Sequence, residues 1–328
     1  MKKSTIAISV LVAAVAIGYP TYKSMFSAPS FKISEQHLTE KFSHYAHPEH
    51  FIAAQDLKEM MDNGDNVVVI GALNPMKPDA PIEGSFTMWR DGYSAKEGTY
   101  EFDGMSNTTE EMEKILSSYG ATPESTIVVY AATSHHDAAR LFWQIEALGH
   151  SDIRYLDGGL NAWVGADLPT GNANPSVEQS DYQTSQPAHK HTALATLDMV
   201  IQAQNSDEWV IIDTRGNDEF NGTTTVGGAF GPGTIPNSIH INWTKAVNED
   251  TTLKSAEELQ ALYGNVIKGK KVIAYCQSGV RSAHTTMILQ NVLGAEEVYN
   301  YDGSWIEYSH AHYEEKQPNV TVINGQQS

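Results

Sequence analysis

No disulfide can hold this chain together, because it carries one cysteine, Cys276, in 328 residues. Basic side chains are also scarce: 21 Lys and Arg stand against 40 Asp and Glu, for a formal net charge of −19. Such a field repels nucleic acid and anionic membrane surfaces, so neither is expected as a partner. Also missing is an apolar run of the ~20 residues that a spanning helix needs. The run from Ile6 to Ile17, behind Lys2-Lys3, instead fits the n- and h-regions of a secretory signal. Ala16 and Gly18 suit a cleavage point, with Pro20 close behind, and no cysteine follows to carry a lipid. Residues 1–30 are therefore expected to be a signal peptide or an N-terminal anchor, with the folded part outside the cytoplasm, in a bacterial periplasm. The histidines (His44, His47 and His50; His135-His136; His189 and His191; His310 and His312) are scattered over the chain. Zinc needs several convergent ligands with a second shell, so no metal is expected.

What the chain does have is an internal repeat. Ile127-Val128-Val129-Tyr130-Ala131 matches Val272-Ile273-Ala274-Tyr275-Cys276, and the offset carries Asp157-Gly158 onto Asp302-Gly303. Upstream, Val67-Val68-Val69-Ile70 matches Trp209-Val210-Ile211-Ile212. A repeat this long predicts a tandem pair of domains rather than a solenoid. In each copy, continuous Val/Ile runs alternate with helical stretches, the pattern of a parallel sheet with helices on both faces and a site at the carboxyl ends of its strands. The polar stretch Gly171 to His191, with Pro175 and Pro187, reads as the linker. The tail after Gln317 reads either as loose chain or as an added strand through Val320-Thr321-Val322-Ile323.

Cys276 follows the apolar run Lys271 to Tyr275 and precedes the helix-type run Ser282 to Leu293. At such a strand-to-helix turn, backbone N–H groups converge and the helix dipole favours negative charge, so a thiolate is stabilised. An unperturbed thiol of pKa ~8.5 is only a few per cent ionised at neutral pH. Lowering it by ~2 units requires ~2.7 kcal/mol, within reach of a helix terminus plus one cation. Gly279 permits a positive φ that turns N–H groups inward, and Arg281 supplies the cation. An inert turn cysteine and a solvated surface arginine are the bland alternatives. In the first copy the cysteine position is Ala131, followed by Ala132-Thr133-Ser134-His135-His136-Asp137, so that copy has no nucleophile and is expected to cover the second.

The loop Cys276-Gln277-Ser278-Gly279-Val280-Arg281, the run Asp213-Thr214-Arg215 and the run Asp302-Gly303-Ser304-Trp305 resemble the rhodanese family of sulfurtransferases, in its tandem form with an inactive first half. The resemblance covers nearly all of the chain after the signal. It implies an α/β fold of two tandem rhodanese-like domains, each a mostly parallel sheet flanked by helices, at residues 36–170 and 192–316, with a linker at 171–191 and a tail at 317–328. It further implies a persulfide cycle without a cofactor, in which a small sulfur donor such as thiosulfate loads Cys276 and a thiol, cyanide or a periplasmic sulfur-accepting protein unloads it. Cys276 and Arg281 would be catalytic, and Gln277, Ser278, Gly279, Val280 and Arg281 would bind substrate. Asp213, Arg215, Asp302 and Trp305 would support the loop, the first two as an ion pair or brace. Trp305 and Trp243 read first as packing residues and second as an aromatic wall at the pocket mouth.

Phosphatases on related folds place five residues between cysteine and arginine; here the arginine comes one earlier and Ser282 takes its place, which suits a single sulfur atom. Three departures from the family pattern bear on the donor. Glu219 stands where many tandem members have a second basic residue, and would repel a dianion if it lined the pocket. Gly233-Thr234-Ile235-Pro236-Asn237 lacks the usual histidine. So does Ala80-Pro81-Ile82-Glu83-Gly84, which places mercaptopyruvate below thiosulfate. The rival readings are a non-catalytic sulfur carrier serving a partner protein and a thiol-redox protein, the latter without a resolving cysteine.

Overall fold

The computed structural model describes residues 35–184 and 193–324. The expected export segment, the end of the expected linker with His189 and His191, and the last residues of the tail lie outside them. In the first repeat, β1 (Phe51–Ile52), β2 (Val67–Ala72), β3 (Phe86–Met88), β4 (Thr126–Ala131) and β5 (Ile153–Leu156) form one all-parallel sheet in the order β1-β5-β4-β2-β3. The second repeat copies it with β6 (Ala193–Ala195), β7 (Trp209–Asp213), β8 (Ile239–His240), β9 (Lys271–Tyr275) and β10 (Val298–Tyr301), in the order β6-β10-β9-β7-β8. The unbroken apolar runs have the reason expected of them. β4 is buried at every position and β9 from Val272 onward, because helices cover both faces.

The first repeat carries helices α1 (Glu35–Phe42), α2 (Ala54–Asn63), α3 (Arg90–Tyr93), α4 (Thr109–Ser118), α5 (His135–Ala147) and α6 (Gly159–Gly165). The second carries α7 (Leu197–Ala203), α8 (Asn217–Phe220), α9 (Ala256–Ile267), α10 (Val280–Met287) and α11 (Ser304–Tyr313). The helix after Cys276 thus starts two residues before the expected Ser282, and beyond Met287 it continues as a π-helical turn, Ile288–Val292. Chain order reverses between β7 and β9, so the crevice at a switch point of the sheet opens beside the ends of these two strands, where Arg215 and Cys276 follow.

The repeats are not two beads on a string. α5 packs along α10, and Leu141, Phe142 and Ile145 belong to the same apolar cluster as Met287, Ile288 and Leu289. Each repeat also grips the Asp-Gly corner of the other. Asp302 accepts the Ser106 N–H at 2.9 Å and the Ser106 hydroxyl at 2.8 Å, and pairs with the buried Arg140 of α5. Asp157 pairs with Lys41 of α1 and accepts the Leu253 N–H at 2.7 Å.

The described part of the linker is irregular but attached, with Tyr182 buried and its hydroxyl 2.8 Å from His150 Nδ1. The described part of the tail is attached at single points and forms no strand. Ile323 bridges antiparallel to Thr234 and Val320 is buried.

Candidate active site

Cys276 is 1% exposed and follows β9 directly, at the start of a loop that closes through Gly279 into α10. Gly279 has φ of +74°, and a Cβ there would lie 2.7 Å from the Asp302 carbonyl oxygen and 2.8 Å from Arg140 Nη1, so the turn has no room for a side chain. Ser304, itself at φ of +48°, fixes the loop from below. Its hydroxyl accepts the Cys276 N–H at 3.1 Å and the Gly279 N–H at 3.0 Å, and donates to the Tyr301 carbonyl at 2.6 Å. The Gly279 carbonyl is held from the other side by Arg140 Nη1 at 3.2 Å and Asn300 Nδ2 at 3.1 Å. A non-glycine residue in the left-handed region persists where its surroundings compensate the strain, and Ser304 makes three such bonds.

Burial by itself would push the Cys276 thiol up. The Arg281 charge, the Ser282 hydroxyl 3.6 Å from Sγ, and the Ser282 and Ser278 backbone groups outweigh it and bring the thiol below its usual range. The single proton of the Ser282 hydroxyl is shared between Sγ and Asn300 Oδ1, which lies at 2.6 Å. A sulfur anion is thus held by one cation and a ring of fixed donors, with no side-chain base.

Arg281 does not face the sulfur unshared. Its two terminal nitrogens fork onto Glu219 of α8 at 2.6 and 2.7 Å. Burial would raise the Glu219 carboxyl, but this pairing holds it below the usual carboxylate range. The residue expected to repel an anionic donor therefore acts first by neutralising the loop's cation. Alkylation of Cys276 read against pH tests this balance. The rate should rise through a midpoint below ~8.5, because the thiolate forms at lower pH than in a free thiol. In Arg281→Ala the midpoint should move up, since burial and an unpaired Glu219 then both oppose ionisation. An unchanged midpoint would remove Arg281 as the source.

Asp213 and Arg215 form a fully buried pair, with Arg215 Nη2 2.6 Å from Asp213 Oδ2. Arg215 also donates to the Gly233 carbonyl at 2.9 Å and lies between the rings of Tyr275 and Trp305, at 5.3 and 4.7 Å. Trp305 is 1% exposed and donates its backbone N–H to the Cys276 carbonyl at 3.0 Å. These three residues lie under the loop as packed support. Thr234, at the missing histidine, bonds Asp213 and Tyr275. The Gln277 amide is engaged by the second repeat's own chain, donating to the Val226 and Gly227 carbonyls at 3.3 and 3.2 Å. Ser278 faces Gly104 of the first repeat, and Val280 is buried.

The loop without a nucleophile closes against this site. His135 is buried and His136 half-buried, and desolvation first pushes them down to about 4 and about 3, so both are neutral near pH 7. Trp243 sits between His136 and His284 of α10, with ring centroids at 4.6 and 5.2 Å. Ser282, Asn300 and Ser304 were not singled out by sequence reasoning, though all three lie within or beside the motifs. Arg140 and Ser106 had no signal there, because their partners belong to the other repeat.

A family model described as "Rhodanese-like domain" matches residues 53–166 and 196–311. A Mycolicibacterium smegmatis protein named "Putative thiosulfate sulfurtransferase" is 36% identical over 207 residues, 61% of this chain and 73% of its own. "Sulfur carrier protein TtuD" of Thermus thermophilus is 34% identical over 210 residues, again 61% of this chain and 73% of its own. Among solved structures, YnjE superposes with a TM-score of 0.71 at 21% identity, over 87% of this chain and 70% of that one. An anaerobic ergothioneine biosynthesis enzyme from Chlorobium limicola gives 0.71 at 20%, over 86% and 72%. At that identity the structural likeness speaks for the fold alone. The relatives by sequence are named for sulfur transfer and sulfur carriage, both matched segments coincide with the two sheets, and the chain belongs to the rhodanese-like domain family.

Proposed function

We propose that the protein is an exported sulfurtransferase that moves a sulfane sulfur through a persulfide on Cys276, from a thiosulfate-like donor to a thiol or cyanide. The Cys276 thiolate attacks the outer sulfur of the donor, the donor's S–S bond breaks, and sulfite leaves with the electron pair. The acceptor then attacks the terminal sulfur of the persulfide, taking that atom and returning the thiolate. Neither step needs an outside oxidant or reductant. The observation that carries this reading is the lowered Cys276 thiol, with the Arg281 charge, the Ser282 hydroxyl and the Ser282 and Ser278 backbone groups about it. Those donors hold a terminal sulfur anion as they hold the thiolate. Export rests on Lys2-Lys3 and the run Ile6 to Ile17.

One observation favours a second reading, a carrier that passes its sulfur only to a partner protein. The Glu219 fork takes up the loop's cation, which weakens the hold on a dianionic donor. Intact mass after thiosulfate and then cyanide decides between them, on the protein recovered from its natural compartment and on Cys276→Ser. A gain of one sulfur that cyanide removes, absent from the variant, supports turnover. Loading that cyanide leaves in place supports the carrier, and no loading at all sinks the thiosulfate reaction. The same spectrum reads whether the N-terminal segment has been removed.

A further inference from the structure

Beyond the sulfur loop, an aromatic clasp joins the two repeats. The 94–106 segment of the first repeat is closed at its base by a Ser94–Ser106 bridge and reaches across to the second. Its tip carries Phe102, whose ring meets His310 of α11 edge-on at 4.9 Å. Phe230 meets the same imidazole at 4.7 Å, so the ring is held between two aromatic side chains. The half-buried His310 presents a buried Nδ1 atom that makes no hydrogen bond among the described residues and lies 3.7 Å from Glu315 Oε1, too far for one. Toward it converge the carboxylates of Glu101, next to Phe102, and Glu315, just past α11; one ligand atom of each of the three residues lies within 4.8 Å of the others. Glu315 is supported from behind by Gln317 Nε2, 2.5 Å from its second oxygen. Among the described residues no lysine or arginine pairs with Glu101 or Glu315, although two carboxylates this close repel one another.

We propose that Glu101, His310 and Glu315 form a binding site for a divalent cation of the zinc class, one that latches the 94–106 loop of the first repeat onto α11 of the second. The donor set is one imidazole and two carboxylates, which suits zinc better than the all-oxygen preference of magnesium or calcium. Ligand distances of ~2.0–2.2 Å about a tetrahedral ion put neighbouring ligands ~3.4 Å apart. The two exposed glutamates reach that spacing by rotamer changes, while the ring stays in its aromatic clasp. A fourth position remains for water. The latch bears on the reactive loop, because Gly104 of the same segment lies against Ser278 and Ser106 holds Asp302. It stands apart from the sulfur-transfer reading and survives if that reading fails.

The test uses the full chain without an affinity tag and with Cys276→Ser, so that no thiolate competes for metal. After chelator treatment, Zn2+ is titrated by calorimetry and the melting temperature is read with and without Zn2+. One ion per chain and a raised melting temperature are expected. Glu101→Gln and Glu315→Gln, each in that background, should weaken binding by at least ~10-fold and abolish the rise. Both positions are exposed, and unchanged melting of the metal-free variants confirms folding. No saturable binding, or affinity in either glutamine variant equal to that of the parent protein, overturns the site.

Discussion

Arg140→Ala is expected to destabilise the protein by about 3–5 kcal/mol, the cost of leaving one charge of a buried pair alone. Arg140 belongs to the repeat that has no nucleophile, yet it is fully buried against Asp302 and bonds the Gly279 carbonyl of the sulfur loop and the Gly104 carbonyl. Removing it strands the Asp302 carboxylate at 2% exposure with only the Ser106 donors. Denaturant unfolding measures the loss, and a double variant, Arg140→Met with Asp302→Asn, separates its causes. The double variant should recover much of the stability, since it leaves no stranded charge. A cost below ~1 kcal/mol for Arg140→Ala, the range of exposed pairs, would mean that water reaches Asp302 and the clamp holds nothing. Persulfide loading of Cys276 should fall as well, because the Gly279 carbonyl loses a donor.

Gly279→Ala should abolish persulfide loading while leaving the chain folded. At φ of +74° an alanine is strained, and its Cβ would fall 2.7 Å from a backbone oxygen that cannot move aside cheaply. Left-handed strain and overpacking together amount to ~2–5 kcal/mol. The loop can relieve that only by opening, which pulls the Cys276 and Gly279 N–H groups off Ser304 and scatters the donors around sulfur. The Cys276 alkylation midpoint should rise in this variant. A variant that loads sulfur at the native rate, with an unshifted midpoint, would show that loop geometry does not set the thiol's reactivity.

The strands were legible because a parallel sheet buried on both faces needs unbroken apolar runs, and β9 covers the run Lys271 to Tyr275 read from sequence. The reactive loop was legible because Cys276, Gly279 and Arg281 are neighbours whose chemistry follows from spacing. Glu219 was visible as a departure, but its effect was not, because sequence cannot say whether a carboxylate faces the donor or the arginine. The structure turns it onto Arg281. Ser304 escaped because its role depends on a positive φ that is rare outside glycine. Arg140 escaped for a stronger reason: nothing in the local pattern of α5 marks one arginine as the partner of an aspartate in the other repeat. Such pairings are created by packing, and sequence periodicity does not encode them.

The apolar cluster that runs from α5 into α10 has no seam where the chain could be cut. A half that has given up its own nucleophile would ordinarily be free to erode or to disappear. Here its loss would wet the back of the helix that begins at Val280 and release the corner at Asp302. Descent can therefore rewrite its empty loop, but it cannot discard the half that carries it.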